Sequence, residues 1–271
     1  MASESSARPP SAPEEAPRIL AWLEAHGRGA SPLVGTTSGT NAVRKMDHIL
    51  PLDLTEASVH VFDLSTDSVE FPNGPDLEDV EGWTSLLFER LDEVSAEIGV
   101  GRYDEVRQWY TSDIFRDPTT DPPEWRTVHL GIDLFLRPGT PVLAPFDAVV
   151  HSVANNVGNL DYGPTVILEH QPPMNNGDTV RFWTLFGHLA EEEVSQLSPG
   201  QPVPRGEPFV RIGDFPVNGN WAPHLHFQII TDLLGKEGNF PGVALPSQRA
   251  LWKALSPDPN LILGIPDLSS P

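Results

Sequence analysis

No cysteine occurs among the 271 residues. Disulfide staples are therefore excluded, and so is a thiolate as metal ligand. Any metal must be held by histidine and carboxylate. Positive charge is scarce: 17 Lys and Arg stand against 38 Asp and Glu, a formal net charge of -21. Such a chain does not attract nucleic acid or an anionic membrane through its general field. The expected partners are cationic or neutral. No stretch approaches the roughly 18–20 apolar residues of a membrane span. The opening residues MASESSARPPSAPEEAPR lack the apolar run of roughly 7–15 residues that a secretory signal needs. The expected location is the cytoplasm.

What is abundant is proline, at 29 residues, which favours turns and edge positions over long helices. Hydrophobic residues make up 39% of the chain, enough for a core. The acid excess is uneven. Residues 1–125 hold 24 Asp and Glu against 9 Lys and Arg, and residues 126–271 hold 14 against 8. Two regions of different character are expected, the first with a solvated acidic surface.

Residues 1–17 read as a disordered tail. Ile19 to His26 reads as a short helix, and the Gly/Ser/Thr-rich residues 28–45 as loop, with glycine spacing that fits no phosphate-binding pattern. Val59 to Leu64 reads as a strand. Trp83, Leu86, Leu87, Leu91, Val94 and Ile98 recur at spacings of three and four, which predicts an amphipathic helix over Asp79–Ile98, ended by Gly99 and Gly101. From about residue 126, short β-branched and aromatic segments alternate with Gly/Pro/Asn turns: HLGIDLFL, PVLAPFDAVVHSVA, TVILEH, VRFWTLFGHL, PFVRIG and HLHFQII. That texture predicts an antiparallel sheet folded over itself. Gln201 to Gly206 reads as a tight connection. Ser247 to Leu255 reads as a helix, before a tail that wraps the surface.

Within the β-rich half, polar residues form a pattern. On a strand, i and i+2 share a face, so His224 and His226 stand side by side. In His129-Leu130-Gly131-Ile132-Asp133, an extended backbone places His129, Gly131 and Asp133 together, with the glycine leaving room for an ion. One Asp with two His is a common hydrolytic zinc set, leaving a position open for water. Phe186-Gly187-His188-Leu189 ends an apolar strand on another histidine. His26, His48, His60 and His170 have no motif around them and read as structural, and His151 is left outside the site.

The order His-x-x-x-Asp, aromatic-x-His-Leu, His-Leu-His-Phe resembles the signature of the M23 (LytM/lysostaphin-type) zinc metallopeptidases. Gly131-Ile132-Asp133, Gly139-Thr140-Pro141-Val142, Ala144-Pro145, Gly200, Gly206 and Gly213 agree with it. The resemblance covers roughly residues 126–230. It implies a mainly β fold, a two-layer antiparallel β-sheet, here with an N-terminal α/β extension. The chain divides into the tail 1–17, the acidic extension 18–125, a zinc hydrolase domain 126–235 and the C-terminal tail 236–271. It also implies Zn2+ held by His129, Asp133 and His226. His188 and His224 then flank a metal-activated water that cleaves a peptide or amide bond. His224 is the preferred general base and His188 the preferred oxyanion stabiliser, the assignment being open at this stage.

The chain departs from the family's pattern at Phe186, where tyrosine is usual, at Gln228, where an acid is usual, and at Trp221-Ala222 before Pro223. Segments from GRYDEVR (101–107) to PDPNLILGI also resemble an M23-like module of fusion proteins, set between an aminoglycoside-phosphotransferase-like kinase and a class-III aminotransferase-like domain. That resemblance implies kinase or aminotransferase partners and a small-molecule substrate. The alternatives to a peptidase are thus a cytoplasmic zinc enzyme of small-molecule metabolism and a non-catalytic binding module.

Overall fold

The structure, a computed structural model, describes residues 13–27, 47–107, 109–110, 113–174 and 176–268. The glycine-rich stretch 28–45, expected to be loop, lies outside the described residues, as do residues 1–12 of the expected tail. The chain is mainly β and antiparallel, as its segment pattern implies. Helix α1 (Ala16–His26) is followed by β1 (Val59–Phe62), α2 (Val80–Val94) and β2 (Ile98–Gly101). Two short ladders come next in sequence, β3 (Arg116–Asp117) with β4 (Glu124–Trp125), and β5 (Val128–His129) with the later β14 (Val243–Ala244). The remaining strands are β6 (Ile132–Phe135), β7 (Pro141–Leu143), β8 (Ala148–Asn156), β9 (Gly163–His170), β10 (Phe182–Gly187), β11 (Pro202–Val203), β12 (Pro208–Arg211) and β13 (Leu225–Ile230). Helices α3 (Glu191–Val194), α4 (Arg249–Leu255) and α5 (Asn260–Leu263) are short.

One eight-stranded sheet runs β1-β2-β6-β13-β10-β9-β8-β11. Its only parallel pair among the described strands of that sheet is β1 with β2, at the edge. The extension is therefore not a separate layer: β2 pairs directly with β6, Gly101 opposite Asp133. Period-two alternation sorts the two faces. Ile132, Leu134, Leu225, Phe227 and Ile229 enter the main core, where α1 contributes Ile19, Trp22 and Leu23. Asp133, His226 and Gln228 consequently point to the opposite face.

The helix expected over Asp79–Ile98 is shorter. Asp79 caps it, Oδ1 accepting from Gly82 N at 2.9 Å, but it ends at Val94 on Ser95, whose φ is 55°. Ile98, Gly99 and Gly101 belong to β2, because strand pairing on both sides satisfies that backbone. The buried helix face is Trp83, Leu87, Phe88 and Leu91, whereas Leu86 and Val94 are exposed. Two other expectations shift. Pro202–Val203 is a strand paired with β8 rather than part of a tight connection. The C-terminal segment does not merely wrap the surface: Ile262, Leu263 and Ile265 are buried in the main core with α1, and Phe240 and Leu255 in a cluster with Tyr162 and Trp183.

His170 is structural, as its surroundings in the sequence suggest. It is fully buried, hydrogen-bonded to Thr184 Oγ1 at 2.8 Å, and burial pushes its pKa down to about 4. A histidine held neutral in the fold but free to protonate when unfolded stabilises above about pH 6.5, and that contribution is lost as pH falls towards 4. We expect the wild type to lose about 2 kcal/mol more than His170→Gln between pH 7 and pH 5 in urea unfolding. Parallel losses in the two proteins would contradict this.

Candidate metal centre

Strand register builds the site. His226 on β13 lies opposite Asp133 on β6 and opposite Gly187 on β10, and Asp133 lies opposite Gly101 on β2. The row Gly101–Asp133–His226–Gly187 thus crosses four adjacent strands. The outer glycines leave space for two large side chains. A Cβ on Gly101 would stand 2.6 Å from Arg107 Nη2, and one on Gly187 would stand 2.7 Å from Tyr162 Cδ1. His129 comes from the neighbouring β5–β14 ladder, opposite Val243.

Three donor atoms converge. His129 Nε2 is 3.2 Å from His226 Nδ1 and 3.2 Å from Asp133 Oδ1, and His226 Nδ1 is 3.1 Å from Asp133 Oδ1. Their protonation follows from their other contacts. His129 Nδ1 lies 2.8 Å from the Arg102 carbonyl, which can only accept, so the ring proton is there. His226 Nε2 lies 3.0 Å from Gln228 Oε1, while the Gln228 amide nitrogen donates to Ser256 Oγ at 2.7 Å and to the Pro241 carbonyl at 3.1 Å. Gln228 therefore presents an acceptor to His226 Nε2, which carries the proton. Burial, then the charge of Arg107, pushes the His129 pKa down to about 4. Burial opposes ionisation of Asp133, but the facing His129 and Arg107 outweigh it and hold its carboxyl well below the usual range. In these tautomers His129 Nε2, His226 Nδ1 and Asp133 Oδ1 all turn a lone pair toward one point, where a cation can be held. The triangle's edges match the about 3.3 Å between ligand atoms of a tetrahedral zinc site with Zn–N and Zn–O near 2.0 Å. The donor set fits zinc.

Gly131 is needed here for a different reason from the one expected. Its missing side chain makes room for the His226 ring: a Cβ would stand 2.4 Å from His226 Cε1 and 2.9 Å from the Phe227 carbonyl oxygen. The segment is also not one continuous strand, since His129 and Asp133 lie on separate ladders.

His188 and His224 stand beside the triangle, ring centroids 4.3 Å apart. His188 Nδ1 donates to the Asn218 carbonyl at 2.8 Å, and His224 Nδ1 donates to the Ala222 carbonyl at 2.7 Å. Each therefore keeps an unprotonated Nε2. Burial, then its neighbour His224, holds the His188 pKa well below its ordinary value. Burial also lowers that of His224, opposed by Asp133, whose Oδ1 is 3.7 Å from His224 Nε2. His188 has φ 62°, a strained conformation for a non-glycine residue. Its peptide is pinned on both sides, N to the Tyr162 carbonyl at 2.9 Å and O to Gly213 N at 2.9 Å. All five residues line one cavity of about 260 Å3 and are between 2% and 5% exposed.

Residues 127–238 match the model of peptidase family M23. The matched segment is less than half of the chain and contains the three donors together with His188 and His224. A curated relative, an uncharacterized metalloprotease of Haemophilus influenzae, is 31% identical over 131 residues, which are 48% of this chain and 24% of that protein. The match thus spans about a quarter of the relative's length. Among solved structures, the catalytic domain of lysostaphin from Staphylococcus simulans is 23% identical, with 51% of this chain and 80% of that one covered and a TM-score of 0.34. A zinc-containing peptidase from Vibrio cholerae is 26% identical, covering 47% of this chain and 35% of that one, with a TM-score of 0.29.

Two residues that hold the donors in place, Arg107 and Gln228, are not marked by any motif. Arg107, 3% exposed, donates from Nη1 to Asp133 Oδ2 at 2.7 Å and to Tyr110 Oη at 3.0 Å, and from Nε to Glu105 Oε2 at 2.8 Å. It comes from the extension, outside the family match. The only signal was an arginine two residues from an acid within GRYDEVR. Gln228 was noticed as a departure, but its contact with His226 was not legible. Arg107 Nη2 is buried without a hydrogen-bond partner. Among the described residues, no helix is long and apolar enough to cross a membrane.

Proposed function

We propose that this chain is a mononuclear zinc hydrolase that cleaves a peptide or other amide bond, with His129, Asp133 and His226 holding the ion. The convergence of three donor atoms in a buried triangle is the observation that carries this reading. A zinc ion held there supplies Lewis-acid polarisation of a carbonyl and brings the pKa of water down to about 7.

The remaining work falls to the two flanking imidazoles. His224 is the general base. Its Nε2 stands 3.7 Å from Asp133 Oδ1, at the edge of the donor triangle and within reach of a water held there. His188 faces the same space with an acceptor at Nε2, since its Nδ1 proton is committed to Asn218. In that tautomer it orients the water by accepting its second hydrogen. To donate to an oxyanion, the role expected of it from the sequence, it must first gain a proton at Nε2. The rings' proximity disfavours protonating both.

The test separates binding from chemistry. His188→Ala and His224→Ala are expected to retain zinc while losing about 10²–10⁴-fold in kcat/KM on glycine-rich peptides or small amides. Full activity in either variant would remove that histidine from the mechanism. No hydrolysis of any amide by zinc-loaded wild type would overturn the hydrolase reading.

A further inference from the structure

The M23 segment supplies the floor of the cavity, but much of its wall comes from elsewhere. Trp109, Tyr110 and Phe115 belong to the extension, and Phe240 and Val243 follow the family match. Tyr110 packs on Phe115 at 4.6 Å between ring centroids and edge-on against Trp221 at 6.2 Å. Trp221 in turn lies 6.1 Å from His188 and 6.4 Å from His224. A continuous aromatic surface therefore leads up to the two flanking imidazoles. The loop before β14 presses in as well: a Cβ on Gly242 would stand 2.0 Å from Tyr162 Oη and 3.4 Å from His226 Cε1.

Apart from Arg107 Nη2, the charged side chains that line the wall have partners. Arg107 serves Asp133 and Glu105, and Arg126 donates to the backbone carbonyls of Ile114 and Phe115. Asp161 accepts from Tyr162 N at 2.7 Å, and burial pushes its carboxyl pKa up. The surface left for a ligand is largely aromatic, with the Arg126 guanidinium and the Asp161 carboxyl as the charged groups outside the donor cluster and Arg107. The cavity's 260 Å3 lies just under the roughly 300–1,000 Å3 usual for drug-sized ligands. That is room for something of dipeptide size. The near-complete burial of all five site residues leaves little access for a polymer strand lying across them.

We propose that this cavity is a pocket for an uncharged aromatic or bulky aliphatic group, carried next to the scissile carbonyl of a short amide of dipeptide size. The inference rests on the hydrolase reading for its catalytic part and on the cavity alone for its binding part. The extension then determines substrate choice, which the M23 segment by itself would leave open.

Zinc-loaded full-length protein should be assayed on glycyl-phenylalaninamide, glycyl-glycinamide and pentaglycine. The expected kcat/KM is about 10- to 100-fold higher for the phenylalanine amide than for either glycine substrate, the range for burying one aromatic side chain. Trp109→Ala should bring that ratio towards one, and its melting temperature and zinc content will report whether it is folded. As a second measurement, calorimetry with N-acetyl-phenylalaninamide and N-acetyl-glycinamide reads the pocket without turnover. Equal rates on the amides, or preference for pentaglycine, would overturn the pocket while leaving the hydrolase. No turnover, with binding of the phenylalanine probe alone, would overturn the hydrolase and support the pocket. Equal binding of both probes, or of neither, would overturn the pocket.

Discussion

His129→Ala and His226→Ala should each lose bound zinc, while the wild type retains about one ion per chain through chelator-treated gel filtration. The expected fall in affinity is at least about a hundredfold. Apparent binding energies of about 10–16 kcal/mol for four-ligand sites put each ligand at several kcal/mol. The triangle gives each ligand equal standing, because each donor sits 3.1–3.2 Å from the other two. Neither variant leaves a spare donor for the ion. His224 is near Asp133 at 3.7 Å, but it stands outside the close triangle. His151→Ala is the control, since that ring bonds Ser152 Oγ and lies outside the cavity. Zinc should also stabilise the wild type, by about 4 kcal/mol at a thousandfold excess over its dissociation constant, and should stabilise neither ligand variant comparably. Zinc uptake by both alanine variants as tight as the wild type's would refute the assignment of these ligands.

The way those three donors are presented explains what the sequence alone shows of them. Asp133 and His226 were legible because strand periodicity fixes a face regardless of what lies beyond it. Ile132 and Leu134 go to the core, and Asp133 must go the other way. His129 was legible by its spacing to Asp133, although its backbone pairs with β14 rather than with the main sheet. The helix end was misread because Gly99 and Gly101 have two uses. Glycine stops a helix by entropy, but it also admits a neighbour. Here Gly99 would clash with Phe62, and Gly101 with Arg107, if either carried a Cβ. Only the tertiary partner decides between the two. The same holds for the walls of the cavity. Trp109, Tyr110 and Phe115 carry no periodic signal, and they meet Trp221, more than a hundred residues later, only through the fold.

Arg107→Met is the second change with a large expected effect, and it tests whether the extension is part of the site. The guanidinium bridges two buried carboxylates, Asp133 Oδ2 at 2.7 Å and Glu105 Oε2 at 2.8 Å, all three side chains being 1–4% exposed. Removing one member of a buried ion pair costs about 3–5 kcal/mol, because the partner is left charged or must protonate. That loss should appear in full in urea unfolding of the zinc-free protein. With zinc bound, the ion itself neutralises Asp133, so the loss should be smaller, confined to Glu105 and Tyr110. The variant is therefore stabilised by zinc more than the wild type is, although its Asp133 is less firmly oriented for turnover. Arg107→Lys keeps the charge but not the planar fork that reaches both acids. It should recover part of the zinc-free stability and little of the geometry. Equal losses with and without zinc would show that Arg107 only ties Glu105 to the sheet, and that the extension holds the fold without tuning the metal ligand.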